Sequence, residues 1–170
     1  MVELPLSRRW LPSPRTRTLA VPFDPSAAIT VSLVTGTLVL IAWWMCSAAI
    51  YDESPWKLPR MMAAVVAGPG ALSPEDEPDL TLVATGIVLH FLLALGFGAI
   101  ICFALRRIPD GAVACAGAAM GAVLYAIDLH GMTTFFPWFA PLRTPDTFAA
   151  HILFGIVAAT AYRHLVPARR

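Results

Sequence analysis

The chain has 170 residues, of which 58% are hydrophobic and 14% charged, and its mean hydropathy is +0.70. Soluble globular domains are about 45–50% apolar and about 25% charged, so this composition argues against a water-soluble domain. Twelve Lys and Arg residues against 11 Asp and Glu residues leave a net charge of +1. Nucleic-acid-binding proteins carry a basic excess, so we expect no nucleic-acid partner.

The first 26 residues are rich in proline and arginine. The arginines are Arg8, Arg9, Arg15 and Arg17. We expect residues 1–26 to form a cytoplasmic basic arm near anionic lipid headgroups. Residues 27–170 are expected to form a single transmembrane domain.

Four long apolar runs follow, at residues 27–50, 81–105, 111–129 and 147–166. A helix needs about 20 residues to cross a hydrocarbon core of about 30 Å, and the first two runs exceed this length without one formal charge. A soluble helix of that length would show a polar face. The sequence therefore predicts an all-α fold, an integral membrane four-helix bundle.

Positive residues are distributed unevenly between these runs. Nine of the 12 Lys and Arg residues lie before the first run, between the second and third, or at the end of the chain. The other side has only Lys57, Arg60 and Arg143, together with the acidic stretch 75–79. The positive-inside rule then predicts a protein of the bacterial inner membrane with both termini in the cytoplasm and two loops outside.

Both expected outer loops are apolar. In the first, residues 55–67 repeat apolar side chains at helical spacing and predict a short amphipathic helix in the membrane interface. These side chains are Leu58, Met61, Met62 and Val65. In the second, residues 135–139 are mostly aromatic, which is typical of headgroup depth. The two loops either cap the bundle or form a lid or a surface for partner docking.

Small residues mark the faces on which the helices are expected to pack, because lipid gives no hydrophobic drive for helix pairing. The stripes are Gly86, His90, Ala94 and Gly98 in the second run, Gly117 and Gly121 beside Ala114, Ala118 and Ala122 in the third, and His151, Gly155 and Ala159 in the fourth. His90 and His151 are therefore expected to point into the bundle. Besides the lipid bilayer, such faces suit association with other membrane subunits or with a second copy of the chain.

Ionisable residues cluster toward the expected outer end of the bundle. They are His90, Asp128, His130 and His151. At 1.5 Å per residue, His90 lies about 13 Å and His151 about 6–8 Å from the outer ends of their helices. Ionisable residues inside a membrane are costly, so these four are candidate functional residues.

Three interpretations of this cluster stay open. In the first, His90 and His151 are core residues that bond to Tyr125, Thr85 or Asp128 and fix helix register. In the second, His90 and His151 are axial ligands of a b-type haem, with Ala94 and Gly155 leaving room for the ring. The chain would then be a membrane cytochrome or an accessory or structural subunit of a respiratory complex.

In the third interpretation, His90, Asp128, His130 and His151 bind a transition metal such as zinc or copper, or sense or pass protons from outside. Imidazole and carboxylate suit these metals, and histidine titrates near neutral pH. The sequence contains no G-x-S-x-G, H-E-x-x-H, Walker A or Rossmann glycine pattern, so we expect no enzymatic activity.

Three features of residues 85–165 resemble a known family. They are His90 opening a small-residue helix, the run GAAMGAVLYAIDLHGMTTFFPWF at 117–139, and HILFG at 151–155. In these features the chain resembles the YagU-like family of bacterial inner-membrane proteins, whose biochemical function is unknown. The resemblance implies a four-helix membrane fold and an involvement in acid tolerance.

Overall fold

The computed structural model describes residues 22–74 and 78–166, which are helical and contain no strand. Five α-helices follow one another: α1 (Pro25–Ile50), α2 (Lys57–Ala67), α3 (Leu80–Leu105), α4 (Asp110–Ala126) and α5 (Pro145–Leu165). The predicted basic arm falls almost wholly outside the described residues. The predicted runs match α1, α3 and α5 to within two residues at each end.

Aspartate side chains cap the starts of α1 and α3. Asp24 Oδ1 accepts hydrogen bonds from the backbone N–H groups of Ser26 and Ala27, at 2.9 and 3.1 Å. Asp79 does the same for the first turn of α3. Such caps satisfy N–H groups that have no partner inside the helix, which matters most where water is scarce.

Within the described part of the chain, four helical segments are long and apolar enough to cross a membrane. They are Pro25–Ile50, Leu80–Leu105, Asp110–Thr134 and Pro145–Leu165, with 26, 26, 25 and 21 residues. Large apolar side chains point outward, as in Met45 (67% exposed) and Leu92 (59%), whereas Ser32 and Ala158 are fully buried. Large apolar groups outside and small groups inside are the arrangement of a polytopic membrane protein. The predicted all-α four-helix fold is confirmed.

The ends of the bundle are identified by contacts between distant residues. Tyr162 Oη, near the end of α5, accepts from Asp24 N at 2.7 Å. Arg163 Nε donates to Asp110 Oδ1 at 2.9 Å, and its Nη1 donates to Arg106 O at 3.1 Å. The start of α1, the end of α5 and the α3–α4 turn therefore share one end, which we call the terminal end. The opposite end, with α2 and residues 127–142, is the cap end.

Glycines bring α4 and α5 into backbone contact. A Cβ added at Gly117 would lie 2.5 Å from Gly155 O, and one at Gly121 would lie 2.8 Å from the carbonyl carbon of His151. On α3, a Cβ at Gly98 would lie 2.7 Å from Ser32 Cβ. The predicted small-residue stripes of α3, α4 and α5 are thus packing faces inside one chain. Ala114, in the adjacent stripe of α4, is exposed.

The predicted amphipathic helix forms as α2, and it packs closely on α3. A Cβ at Gly86 of α3 would lie 2.7 Å from the carbonyl carbon of Pro59. Met61 and Ala63 are buried. Arg60 is also buried and donates from Nη1 to Ala71 O at 2.8 Å. The helix is therefore part of the packed bundle.

Candidate functional site

A cavity of about 430 Å³ lies at the cap end, among side chains from all five helices and the cap turns. Most of its lining is aliphatic or aromatic, including Trp43, Phe97 and Phe154. The polar exceptions are His90, Asp128, Thr147 and His151. Three of the four predicted site residues therefore line one cavity.

The end of α4 departs from regular helix where it reaches this cavity. Ile127–Gly131 is π-helical, and a 3-10 turn, Met132–Thr134, follows. Arg143 Nε donates to Leu129 O at 2.5 Å, and the guanidinium also binds the Thr133 hydroxyl. Thr133 Oγ1 in turn donates to Leu129 O at 3.1 Å. These bonds stabilise a segment type that is rare and often found at functional sites.

His151 is held from both of its ring nitrogens. Nδ1 lies 2.8 Å from Thr147 O, and because a carbonyl only accepts, Nδ1 carries a hydrogen. Nε2 lies 3.4 Å from Asp128 Oδ2. With a bare Nε2 and an ionised carboxylate, two lone pairs would face each other. A hydrogen between Nε2 and Oδ2 would relieve this repulsion.

His90 makes a different contact, from α3 to α1. Its Nε2 lies 3.1 Å from Gly36 O, to which it donates. A Cβ at Gly36 would lie 2.8 Å from Ala94 Cβ, so the glycine lets the two helices come close. His90 thus bonds to a backbone carbonyl, whereas the sequence led us to expect Tyr125, Thr85 or Asp128 as its partner.

His130 does not line the cavity. It is exposed, and its ring lies edge-on to Tyr125 with centroids 5.6 Å apart. The ring of His151 contacts the same Tyr125 at 5.6 Å, and Phe148 contacts it at 5.1 Å. His130 is therefore near the His151–Asp128 pair without joining it.

The predicted metal site finds no support in this arrangement. Among residues 22–74 and 78–166, no group of three or more His, Cys, Asp or Glu side chains could hold a metal ion. The physical reason is that His90 is bonded to α1 and that His130 does not line the cavity.

The predicted haem site is a separate alternative. His90 and His151 line the same cavity, but Nε2 of each already faces an oxygen atom. The arrangement therefore does not fit two histidine axial ligands.

The two loops at the cap end close the cavity together. Trp138 Nε1 donates to Met61 O at 3.0 Å and so joins the second loop to α2. Met62 of α2 and Phe136 of the second loop line the cavity beneath this bond. Residues 135–139 and α2, both expected to lie at headgroup depth, form one cap.

Near the cap, Tyr51 joins the end of α1 to the start of α5. Tyr51 Oη lies 3.1 Å from Asp146 Oδ1. This hydrogen bond to a carboxylate raises the pKa of Tyr51, because ionisation would lose the bond and set two negative charges side by side.

The cavity opens sideways. Leu93, Ile127 and Met132 line it and are also 40%, 48% and 40% exposed. Leu93 belongs to α3, and the other two belong to the π segment and the turn after it. The opening therefore lies between α3 and the end of α4, on the flank of the bundle.

The sequence did not reveal three groups that organise this site. Thr147 O could have been found, because it lies four residues before His151 on the same helix. Gly36 offered only a weak signal, a glycine inside an apolar span. Arg143 reads as an ordinary loop cation, and nothing in the pattern indicates its bond to Leu129 O.

Comparisons of the chain with models of protein families, with curated proteins and with solved structures gave no match. The resemblance to the YagU-like family therefore stays a prediction. The fold and site define a class only, a four-span membrane protein with a capped apolar cavity.

Proposed function

We propose that this chain is a non-enzymatic polytopic protein of the bacterial inner membrane that senses protons at the His151–Asp128 pair. The observation that carries the proposal is the bond from His151 Nδ1 to Thr147 O, which leaves Nε2 facing Asp128. The two side chains are 22% and 24% exposed, so both are accessible although the surroundings are mostly apolar. Histidine is the side chain whose charge changes near neutral pH.

Sensing fits the chain better than proton passage does. Between the cavity and the terminal end, residues 29–51, 91–105, 111–127 and 152–162 contain no Asp, Glu, His, Lys or Arg. The core there includes Ile101, Ala158 and Ala159, all at most 1% exposed. A relay of protons would need titratable or hydrated groups along this length. These four stretches supply no acidic or basic side chain for such a relay.

The proton state of the pair is linked to the cap through bonded groups. Loss of a hydrogen between Nε2 and Oδ2 sets a lone pair of His151 against the Asp128 carboxylate and favours their separation. Asp128 lies in the π segment, which Arg143 binds at Leu129 O. The other titratable groups near the pair are His90 across the cavity, and Tyr125 and His130 beside it. A change of charge at the pair is thus expected to move the π segment and the cap turns.

Histidine NMR in lipid nanodiscs tests this proposal. The ring nitrogen signals of His151 are recorded as a function of pH. Asp128→Asn should change their pH dependence, because it removes the carboxylate that faces Nε2. His90→Gln is the matched control, since His90 bonds to a carbonyl, and it should leave the His151 signals in place. The same pH dependence in Asp128→Asn and in the native chain would overturn the proposal.

For orientation, we propose that the terminal end faces the cytoplasm. The support comes from the sequence, in which nine of the 12 Lys and Arg residues precede α1, lie between α3 and α4, or lie at or after the last turn of α5. Single cysteines at Pro78 and His164, in a background without Cys46, Cys102 and Cys115, test this with a membrane-impermeant thiol reagent in whole cells. Pro78→Cys should react from outside and His164→Cys only after lysis. The opposite pattern would reverse the orientation.

The acid-tolerance role implied by the resemblance agrees with a proton-sensing site. Association with other membrane subunits or with a second copy also stays a prediction. Its support is weaker now, because the glycine faces of α3, α4 and α5 pack against helices of the same chain.

A further inference from the structure

The first observation is the composition of the cavity. Its volume of about 430 Å³ lies within the range of small-molecule sites, and apolar side chains dominate its lining. Rings from different parts of the chain face into it, among them Trp43, Phe136 and Phe139. A space of this kind favours an apolar occupant with few polar atoms.

The second observation is the route of entry. The cap turns and α2 lie over the cavity and are joined by the bond from Trp138 to Met61 O. The cavity opens instead at Leu93, Ile127 and Met132, and Val123, one turn before Ile127 on α4, is also exposed and apolar. In a membrane this flank faces lipid. The occupant therefore enters from the bilayer and must dissolve in it.

The third observation is the polarity of the cavity's few functional groups. In its neutral form His90 donates from Nε2 to Gly36 O, which leaves Nδ1 as an acceptor. Asp128 uses Oδ2 toward His151, and its other oxygen accepts. Among the described residues, no Lys or Arg side chain lines the cavity. Any positive charge on His151 faces Asp128, so a carboxylate or phosphate headgroup would add a negative charge without a cation of its own, which is unfavourable where water is scarce. A hydroxyl group can donate to one of these acceptors without adding charge.

We propose that the cavity is a binding site for an uncharged lipophilic molecule with a hydroxyl at its polar end, such as an alkylphenol, whose hydroxyl donates to His90 Nδ1 or to the second oxygen of Asp128. The proposal does not depend on proton sensing, because it needs the acceptors and the apolar lining but no change of protonation.

Calorimetric titration of the full chain in nanodiscs tests the site, with empty nanodiscs to subtract partition into lipid. The probes are 4-hexylphenol and 4-hexylanisole, which differ by replacement of the phenolic hydrogen with methyl. We expect saturable 1:1 binding of the phenol, at least tenfold tighter than that of the ether. Equal affinities would overturn the proposal, since they would indicate an apolar space that any acyl chain fills.

Two further probes test the charge argument. Decanoate and decylammonium have similar chains and opposite charges at neutral pH. Both should bind at least tenfold more weakly than the phenol. Tighter decylammonium binding would overturn the proposal in favour of a site for lipophilic cations at Asp128, and tighter decanoate binding would refute the argument from the absence of a lining cation.

Variants at the opening locate the binding. Leu93→Trp narrows the entrance and should weaken phenol binding at least tenfold, whereas Leu92→Trp is a matched control on the lipid-facing side. If Leu93→Trp does not fold, Ile127→Trp on the other side of the opening replaces it. Unchanged binding in the entrance variant would overturn the assignment. All binding titrations use one pH and do not depend on proton sensing. A negative result in them leaves the proposal for the His151–Asp128 pair standing. A negative result in the histidine NMR likewise leaves the binding proposal standing.

Discussion

Gly117 of α4 packs against the backbone of α5, and replacing it with alanine gives a quantitative test of the bundle. The added Cβ would lie 2.5 Å from Gly155 O and 3.0 Å from Ala159 Cβ. Ordinary van der Waals contact begins near 3.4 Å, so the helices must separate locally by about 0.9 Å. Neither obstacle is the flexible end of a side chain, so no rotamer change relieves the clash.

The magnitude follows from two opposing terms. Overpacking in a close-packed interior costs about 1–3 kcal/mol, while alanine in place of glycine favours the helix by up to about 1 kcal/mol. We expect Gly117→Ala to lower the free energy of unfolding by about 1–2 kcal/mol. Gly96→Ala is the matched control, because no atom lies within 4 Å of a Cβ at that position in α3. It should leave the protein equally stable or slightly more stable.

The assay is reversible unfolding in mixed micelles, followed by circular dichroism as the denaturing detergent fraction rises. The free energies of unfolding of the two variants should differ by about 2 kcal/mol. Gly117→Ala should be less stable than the native chain, and Gly96→Ala equally stable or slightly more stable. If Gly117→Ala is as stable as Gly96→Ala, the backbone contact between α4 and α5 is not present, and the placement of His151 beside α4 loses its basis.

Three further predictions concern the cap and the proton site. Arg143→Met should lower the free energy of unfolding by about 1–3 kcal/mol, because the π segment loses the charged donor to Leu129 O. Arg107→Met is the control, and because Arg107 is exposed it should leave the free energy of unfolding nearly unchanged. Trp138→Phe keeps an aromatic ring but loses the bond to Met61 O, which should lower the local stability of α2 by about 1 kcal/mol. The backbone amides of α2 should then exchange hydrogen severalfold faster. Unchanged exchange would contradict a cap in which the second loop is bonded to α2. Liposomes with the native chain and with His90→Ala/His151→Ala should leak protons at the same rate, and a faster leak with the native chain would favour conduction over sensing.

The sequence predicts the spans well because their determinants are local. Residues 27–50 have no charge and exceed the length of the hydrocarbon core, so α1 follows from composition alone. Gly117 and Gly155 also indicate their role directly, since small residues are what allow membrane helices to approach. Even α2 follows from helical spacing, although its close packing against Gly86 does not.

The site is less predictable because its determinants are distant in sequence. His90 bonds to Gly36 O, 54 residues away, and only the packing of α3 on α1 shows it. The π segment depends on Arg143, which lies 14 residues beyond Leu129. If α4 continued as a regular helix, the sequence would give no reason to separate His130 from Asp128. In the structure Asp128 lines the cavity, whereas His130 lies outside it and is exposed.

The contact between α4 and α5 determines both how the bundle packs and where His151 lies. Gly121 lies against the backbone of His151, so the approach of α4 to α5 sets where the imidazole meets the end of α4. Thr147 then fixes which ring nitrogen faces Asp128. A larger residue at Gly121 would displace His151 through its backbone, whatever the chemistry of the pair. The glycine stripe that stabilises the bundle is therefore also what positions the His151–Asp128 pair. Variants that weaken the packing at this stripe should also change the contact between His151 and Asp128.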